Sequence, residues 1–270
     1  MVVIMKPATW KKLVHRLSII LLSGLLIATD ARADAVLDVV IGGKSRQFTR
    51  DTLLARSDVA SIDVAHDVSY GKAMRYRAVP MATLLAGPKP PADSVIESIA
   101  LDGFAAQLPL DLITNTDPAK PIAWRAGPFY VVWTGASAST IRSEQWPYQV
   151  AKLESQPSPA DRWPDLGVDP ALPATDPIRA GQTLYVTQCL PCHRLNGAGA
   201  STIGPDLNQP MSATEYMTRV GLHALIRNPK AVRSWPEQRM PGFPPDQMSD
   251  HEIDLVISYL TYMAGRRPSP

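Results

Sequence analysis

The chain has two cysteines in 270 residues. They stand three positions apart, in Cys189-Leu190-Pro191-Cys192, and His193 follows at once. So close a pair cannot cross-link distant segments, which excludes a disulfide-rich scaffold, and two cysteines cannot complete a four-cysteine zinc or iron–sulfur site within the chain. Apolar cores must hold the fold, and a hydrophobic content of 45% is enough for them. The length suits one large domain or two small ones. A formal charge of +2 gives no electrostatic case for nucleic acid.

Three chemistries use Cys-x-x-Cys. A thioredoxin-like dithiol needs a βαβ context. A zinc site needs a second ligand pair, and no second cysteine pair exists. The third is attachment of a c-type haem, for which Cys-x-x-Cys-His is the signature. Two thiols at this spacing reach the two vinyl groups of one porphyrin, and the adjacent His193 can ligate the iron from one face. The motif lies between a capped helix and a glycine-rich loop, which favours one covalently attached haem c, with Cys189 and Cys192 as thioethers and His193 as axial ligand.

Helix signals surround the motif. Asp176 can cap a helix that has Pro177 at its first position. Ser212 with Glu215, and Ser249 with Glu252, form capping-box patterns. Ile253, Val256, Ile257, Leu260 and Met263 follow a helical stripe that Gly265 and Pro268 end, leaving Asp254 and Ser258 on the outer face. After the motif come Gly204-Pro205-Asp206-Leu207 and Arg239-Met240-Pro241-Gly242-Phe243-Pro244. With these pieces, residues 177–264 resemble class I cytochrome c. The resemblance implies an all-α domain with Met240 as the second axial ligand, on a loop stiffened by Pro241 and Pro244. Met211, Met217, Met248 and Met263 are its rivals, and Met217 and Met263 sit on apolar helical stripes where packing is the simpler role. It also implies that the Pro205 carbonyl accepts from the His193 ring, orienting it, and that Gly181 and Tyr259 meet where the first and last helices cross. Arg233 and Trp235 either border the haem or serve ordinary loop packing. His/Met ligation saturates iron and raises its potential. The implied act is outer-sphere transfer of one electron, with no catalytic residue. Without Met240 the iron could bind small molecules.

The N-terminus reads as an export signal. Lys6, Lys11, Lys12 and Arg16 precede an apolar run from Leu17 to Ala28, and Ala31-Arg32-Ala33 offers a small-residue cleavage site. The run is shorter than the ~20 residues a spanning helix needs. Removing residues 1–33 takes out five cationic residues against Asp30, so +2 becomes −2. Cleavage after Ala33 or after Ala35 would leave a mildly acidic protein without a membrane span, in an oxidising compartment, most naturally a periplasm.

Beyond the signal, residues 34–152 alternate short apolar runs with turns, 153–176 form a proline-rich linker, and 177–265 are helical. The expected architecture is multidomain: a mixed, β-rich α+β N-terminal domain and an all-α C-terminal one. Strand-like runs are Ala35–Ile41, Gln47–Thr49 after a Gly42-Gly43 turn, Ser61–His66, Tyr76–Val79, Val95–Leu101 and Phe129–Trp133, with a short helix over Met81–Leu85. Tyr76–Leu85, Leu101–Ala106, Gly127–Trp133 and Trp146–Val150 together resemble the molybdopterin-binding domain of sulfite-oxidase-like enzymes, over about residues 36–152. Those enzymes hold molybdenum through a protein cysteine, and this region has none. The resemblance therefore implies a degenerate docking or binding module. His66, His223 and His251 are unassigned, His15 leaves with the signal, and Asp63, Asp67 and Asp102 form no convincing carboxylate set. No dinucleotide, P-loop or nucleophile-elbow pattern is present.

The leading expectation is a periplasmic monohaem cytochrome that carries electrons for a periplasmic dehydrogenase or to a terminal acceptor. The alternatives are the haem subunit of a molybdopterin-type oxidoreductase and a haem-based small-molecule sensor.

Overall fold

The computed structural model describes residues 35–88, 90–91, 93–114, 129–134 and 141–268. The signal-like segment 1–33 lies outside them, as do Gly127 and Pro128.

The N-terminal half is built on a five-stranded mixed sheet. β1 (Val36–Ile41) turns back into β2 (Lys44–Thr49) through Gly42 and Gly43. Both glycines have positive φ, which an L side chain resists and glycine tolerates. α1 (Arg50–Leu54) follows behind a Thr49–Thr52 capping box. β3 (Ala60–Asp67) and β4 (Lys72–Ala78) form a separate two-stranded ribbon. Then come α2 (Met81–Leu84), β5 (Val95–Ala100), β6 (Ala105–Pro109), α3 (Leu110–Thr114) and β7 (Val150–Gln156). The sheet order is β2-β1-β7-β5-β6, with β1 and β7 parallel and every other pair antiparallel. The last strand in the chain is thus the middle strand of the sheet.

One apolar cluster fills this half. Alternate residues of β1 (Leu37, Val39, Ile41) point into it with Val150 and Leu153 of β7. Burying such side chains contributes roughly 1.5–3 kcal/mol each. Asp67 is fully buried yet satisfied: it accepts from the Tyr76 hydroxyl at 2.5 Å, from the Ser69 and Tyr70 amides and from the Tyr130 hydroxyl at 3.3 Å. The carboxylate ties the ribbon to the core, as a buried charge must be tied.

Two sequence expectations need correction. Phe129–Trp133 is buried but is not a regular strand. Tyr130 makes an isolated bridge to Tyr148, and the Val131 amide donates to the Pro147 carbonyl. Pro147 has no N–H to donate in return, which limits a ladder here. In addition, residues 153–156, expected in the proline-rich linker, belong to β7 in the sheet centre. α4 (Pro159–Arg162) is capped by Ser158. Leu166 is buried in the C-terminal core, where its carbonyl accepts from the Tyr259 hydroxyl at 2.7 Å.

The C-terminal half is helical: α5 (Pro177–Leu184), α6 (Ala213–Tyr216), α7 (Arg219–Arg227), α8 (Pro229–Val232) and α9 (Asp250–Ala264). Its loops add two isolated β-bridges, Arg194–Asp206 and Leu195–Ala198. Asp176, Ser212 and Ser249 cap α5, α6 and α9. The apolar stripe of α9 is buried, but its opposite face is only half exposed. Arg219 covers it, bonding the Asp254 carbonyl and carboxylate and the Ser258 hydroxyl. α5 crosses α9 at Gly181, where an added Cβ would lie 2.2 Å from the Leu255 carbonyl oxygen and 2.8 Å from the Tyr259 Cβ. Only glycine permits that crossing.

The two halves touch through polar contacts. Arg142 donates to the Gln247 carbonyl at 3.1 Å and to the Glu252 carboxylate. The Ala105 amide donates to the Pro191 carbonyl at 3.0 Å. Pro191 lies inside the Cys-x-x-Cys motif, so β6 abuts the motif directly.

Candidate cofactor site

α5 runs without interruption into a wide π turn, Tyr185–Cys189, closed by the Leu190 amide on the Tyr185 carbonyl at 2.9 Å. π turns recur at functional sites because they re-aim side chains within a helix. The chain then tightens. The amides of Cys192 and His193 both donate to the Cys189 carbonyl, at 3.0 and 2.8 Å. The two thiols are unpaired.

Cys189, Cys192, His193 and Met240 line one cleft of about 510 Å³. Its apolar wall includes Leu207, Leu222, Ile226, Phe243, Val256 and Leu260. His193 Nδ1–H donates to the Pro205 carbonyl at 2.9 Å, which commits that nitrogen and leaves Nε2 as the free lone pair. Burial lowers the imidazole pKa, opposed by the Pro205 bond, so the neutral, ligating form is favoured. Gly204 packs against the ring: a Cβ there would lie 2.5 Å from it.

The two thiols sit in surroundings unlike those of a redox dithiol. Burial raises both, Cys192 to about 12 and Cys189 further, and the Glu144 carboxylate adds to the rise. A redox dithiol needs a depressed thiol pKa.

Met240 lies half-buried on the loop between α8 and α9 and packs against the cluster of Leu222, Ile226 and Phe243. Arg227 holds this loop. It donates to the carbonyls of Phe243 and Met248 and to the Asp250 carboxylate, while the Phe243 amide returns to the Ile226 carbonyl. Of the four rival methionines, Met248 and Met263 are buried in separate cores, Met217 follows the end of α6 rather than lying on a helical stripe and packs against the core of Met248, and Met211 is exposed. Arg233 and Trp235 both line the cleft, the guanidinium 5.0 Å above the indole, and Trp235 keeps an exposed face.

Several residues organise the site in ways that sequence reasoning did not assign to them. Asp206 accepts from the amides of Asn196, Gly197, Asn208 and Gln209 and so shapes the loop that delivers Pro205. Fully buried Asn208 donates to Asn196 Oδ1 and to the Met263 carbonyl, both at 2.7 Å, tying that loop to α9. Asp102, Phe104 and Glu144, all from the N-terminal half, complete the cleft wall. Among the unassigned histidines, His66 and His251 are exposed and His223 sits 3.5 Å from Asp250. Asp63 pairs with Arg75 on the ribbon. Among the described residues no cluster of three or more His, Cys, Asp or Glu forms a metal site, and no helix is long and apolar enough to cross a membrane.

The donor set fits a haem. Two neutral thiols, a neutral imidazole with one nitrogen committed and a thioether border an apolar cleft. No curated protein matches the chain. The family model described as Cytochrome c matches residues 178–264, about a third of the chain. That match supports a cytochrome c domain at the C-terminal end and, with it, a haem-based electron-transfer role through covalently bound haem c.

Proposed function

We propose that this chain is an exported monohaem electron carrier whose haem is ligated by His193 and Met240. The observation that carries the reading is the convergence of Cys189, Cys192, His193 and Met240 on one apolar cleft. Cys189 and Cys192 would hold the haem covalently through its vinyl groups. When bound, the group supplies a one-electron iron couple, which His/Met ligation places at a raised potential. The protein's own work is positional. The Pro205 carbonyl keeps the imidazole in one tautomer, and Arg227 fixes the loop bearing Met240. Leu222, Ile226 and Leu260 give the cleft an apolar wall.

The remaining parts of the reading are location and partner. The basic, apolar and small-residue order of residues 1–33 supports export to a periplasm. The cysteine-free N-terminal half, similar in sequence pieces to a molybdopterin-binding domain, supports a docking module for a periplasmic dehydrogenase or terminal acceptor. The test is the Met240→Ala variant. It should keep its covalent haem, lose the charge-transfer band of a thioether-ligated ferric haem and bind carbon monoxide when reduced. An unchanged band would exclude Met240 as ligand.

A further inference from the structure

The N-terminal half contributes a carboxyl group to the cleft. Ser143–Gln145 is a 3-10 turn that packs on β6 and on the π turn leading to Cys189. Its central residue, Glu144, lines the cleft beside Cys189 and Cys192. The carboxylate accepts from its neighbour Ser143, and no ion pair to it occurs among the described residues. Arg142, the nearest cation on the same turn, is turned away to Glu252 and the Gln247 carbonyl. On the same wall Gln188 is 3% exposed, and neither its Nε2 nor its Oε1 finds a partner among the described residues. Leaving an amide and a carboxylate so poorly matched in an apolar wall is costly, so they need a function there or further partners.

We propose that Glu144 is a proton-binding site coupled to the redox centre, so that this chain transfers a proton with its electron. The inference rests on the haem reading above. When an external one-electron donor reduces the centre, the Glu144 carboxylate takes one proton from solvent and one O–H bond forms. Reoxidation by the acceptor releases that proton. The cause is electrostatic: an added electron places extra negative charge near a carboxylate that is half-buried in the cleft wall, which favours its neutral form.

The neighbours allow this. Burial raises the Glu144 carboxyl to about 7, with the Ser143 hydrogen bond and the Arg142 charge opposing. β6 faces it with no titratable side chain. The β5–β6 turn brings Asp102, a second anion, to the same cleft. Tyr185, held neutral by burial, lies on the motif segment with His193 and with Cys189 and Cys192, which carry no titratable proton as thioethers. The same cleft is also lined by Tyr216, Arg233, Glu237 and Arg239, of mixed sign, with Arg233 stacked over Trp235.

The test is the reduction potential of the full holoprotein, measured by spectroelectrochemistry from about pH 5 to about pH 9, the range that brackets a perturbed carboxyl. The potential should fall as pH rises, with a limiting slope of about 59 mV per pH unit for one electron and one proton. Glu144→Gln should flatten that slope and Glu144→Asp should restore it. The reduced-minus-oxidised infrared spectrum should gain the carbonyl stretch of a neutral carboxylic acid, absent in Glu144→Gln. Ser143→Ala removes the hydrogen bond that favours the ionised form, so it should move the sloping region to higher pH, and it serves where Glu144→Gln does not fold. Haem propionates also titrate, so the difference between variants is the readout. Equal slopes in wild type and Glu144→Gln, or no slope in wild type, would overturn the proposal. Absence of the covalent haem band would instead overturn the haem assignment, and it is visible before any potential is measured.

Discussion

The two halves of the molecule store their information differently. In the C-terminal half the decisive signals are local. Caps sit at the helix starts, Cys-x-x-Cys-His spans five residues, and Met-Pro marks a loop. In the N-terminal half the decisive pairing is remote: Asp38 lies opposite Lys152, because the last strand enters the sheet beside the first. A locally written fold announces its chemistry. A remotely written one conceals its architecture and here shows its role only where it meets the other half.

That contrast can be broken at four points, from the largest expected effect to the smallest. Cys189→Ser or Cys192→Ser should abolish stable attachment of haem while leaving the N-terminal half folded, as read by haem staining of denatured protein beside far-ultraviolet circular dichroism. Normal attachment in both variants would remove the site assignment. Gly181→Val forces a side chain into the Leu255 carbonyl and Tyr259. It should destabilise the C-terminal half by more than the about 1–3 kcal/mol of ordinary overpacking, seen as a lowered midpoint in urea followed by haem absorbance. Leu153→Ala empties a fully buried position of β7. It should cost the N-terminal half about 2–5 kcal/mol, with the haem spectrum retained. Loss of that spectrum would mean that the halves do not fold separately.

The smallest effect belongs to the junction. Arg142→Ala removes a half-exposed ion pair and a bond to the Gln247 carbonyl, at about 0.2–1 kcal/mol. It should chiefly speed hydrogen exchange of the Ala105 amide that donates to Pro191. Acid should act in the same direction. Burial pushes the Glu252 carboxyl up, but Arg142 and the Ser249 amide hold it below the usual carboxylate range. A depressed folded pKa gives stability that is present above the unfolded value and lost as pH falls through the folded one. The junction should therefore loosen progressively as pH falls below the ordinary glutamate value. Exchange of the Ala105 amide that is unchanged by either perturbation would show that the halves are held together elsewhere.

How much was legible follows the same division. Asp176, Ser212 and Ser249 announce their helices because a cap is a short-range bond. Cys189, Cys192 and His193 were readable as candidates because spacing alone relates them, and Met240 because its loop resembles that of class I cytochrome c. β7 was not, because Val-Ala-Lys-Leu-Glu-Ser-Gln alternates weakly and runs into prolines. Its Lys152 and Glu154 are accommodated by pairing with each other at 2.7 Å. Phe129–Trp133 misled for the opposite reason: apolar residues suggested a strand, but backbone pairing with a proline segment limits the ladder. Arg227 and Glu144 left no trace in sequence, and the role of Asp206, though it stands in the Gly204-Pro205 loop, was not readable there. Each works by reaching a group made adjacent only by folding: a loop carbonyl, a ring of amides, a cleft wall.

The central claim is that four residues of the C-terminal half assemble one covalent haem. Its most direct test is the intact mass, under denaturing conditions, of the protein isolated from the cells that make it. The account predicts a chain lacking the export segment and carrying the mass of one haem, lost in Cys189→Ser. A chain of polypeptide mass alone, with both thiols open to alkylation, would contradict it.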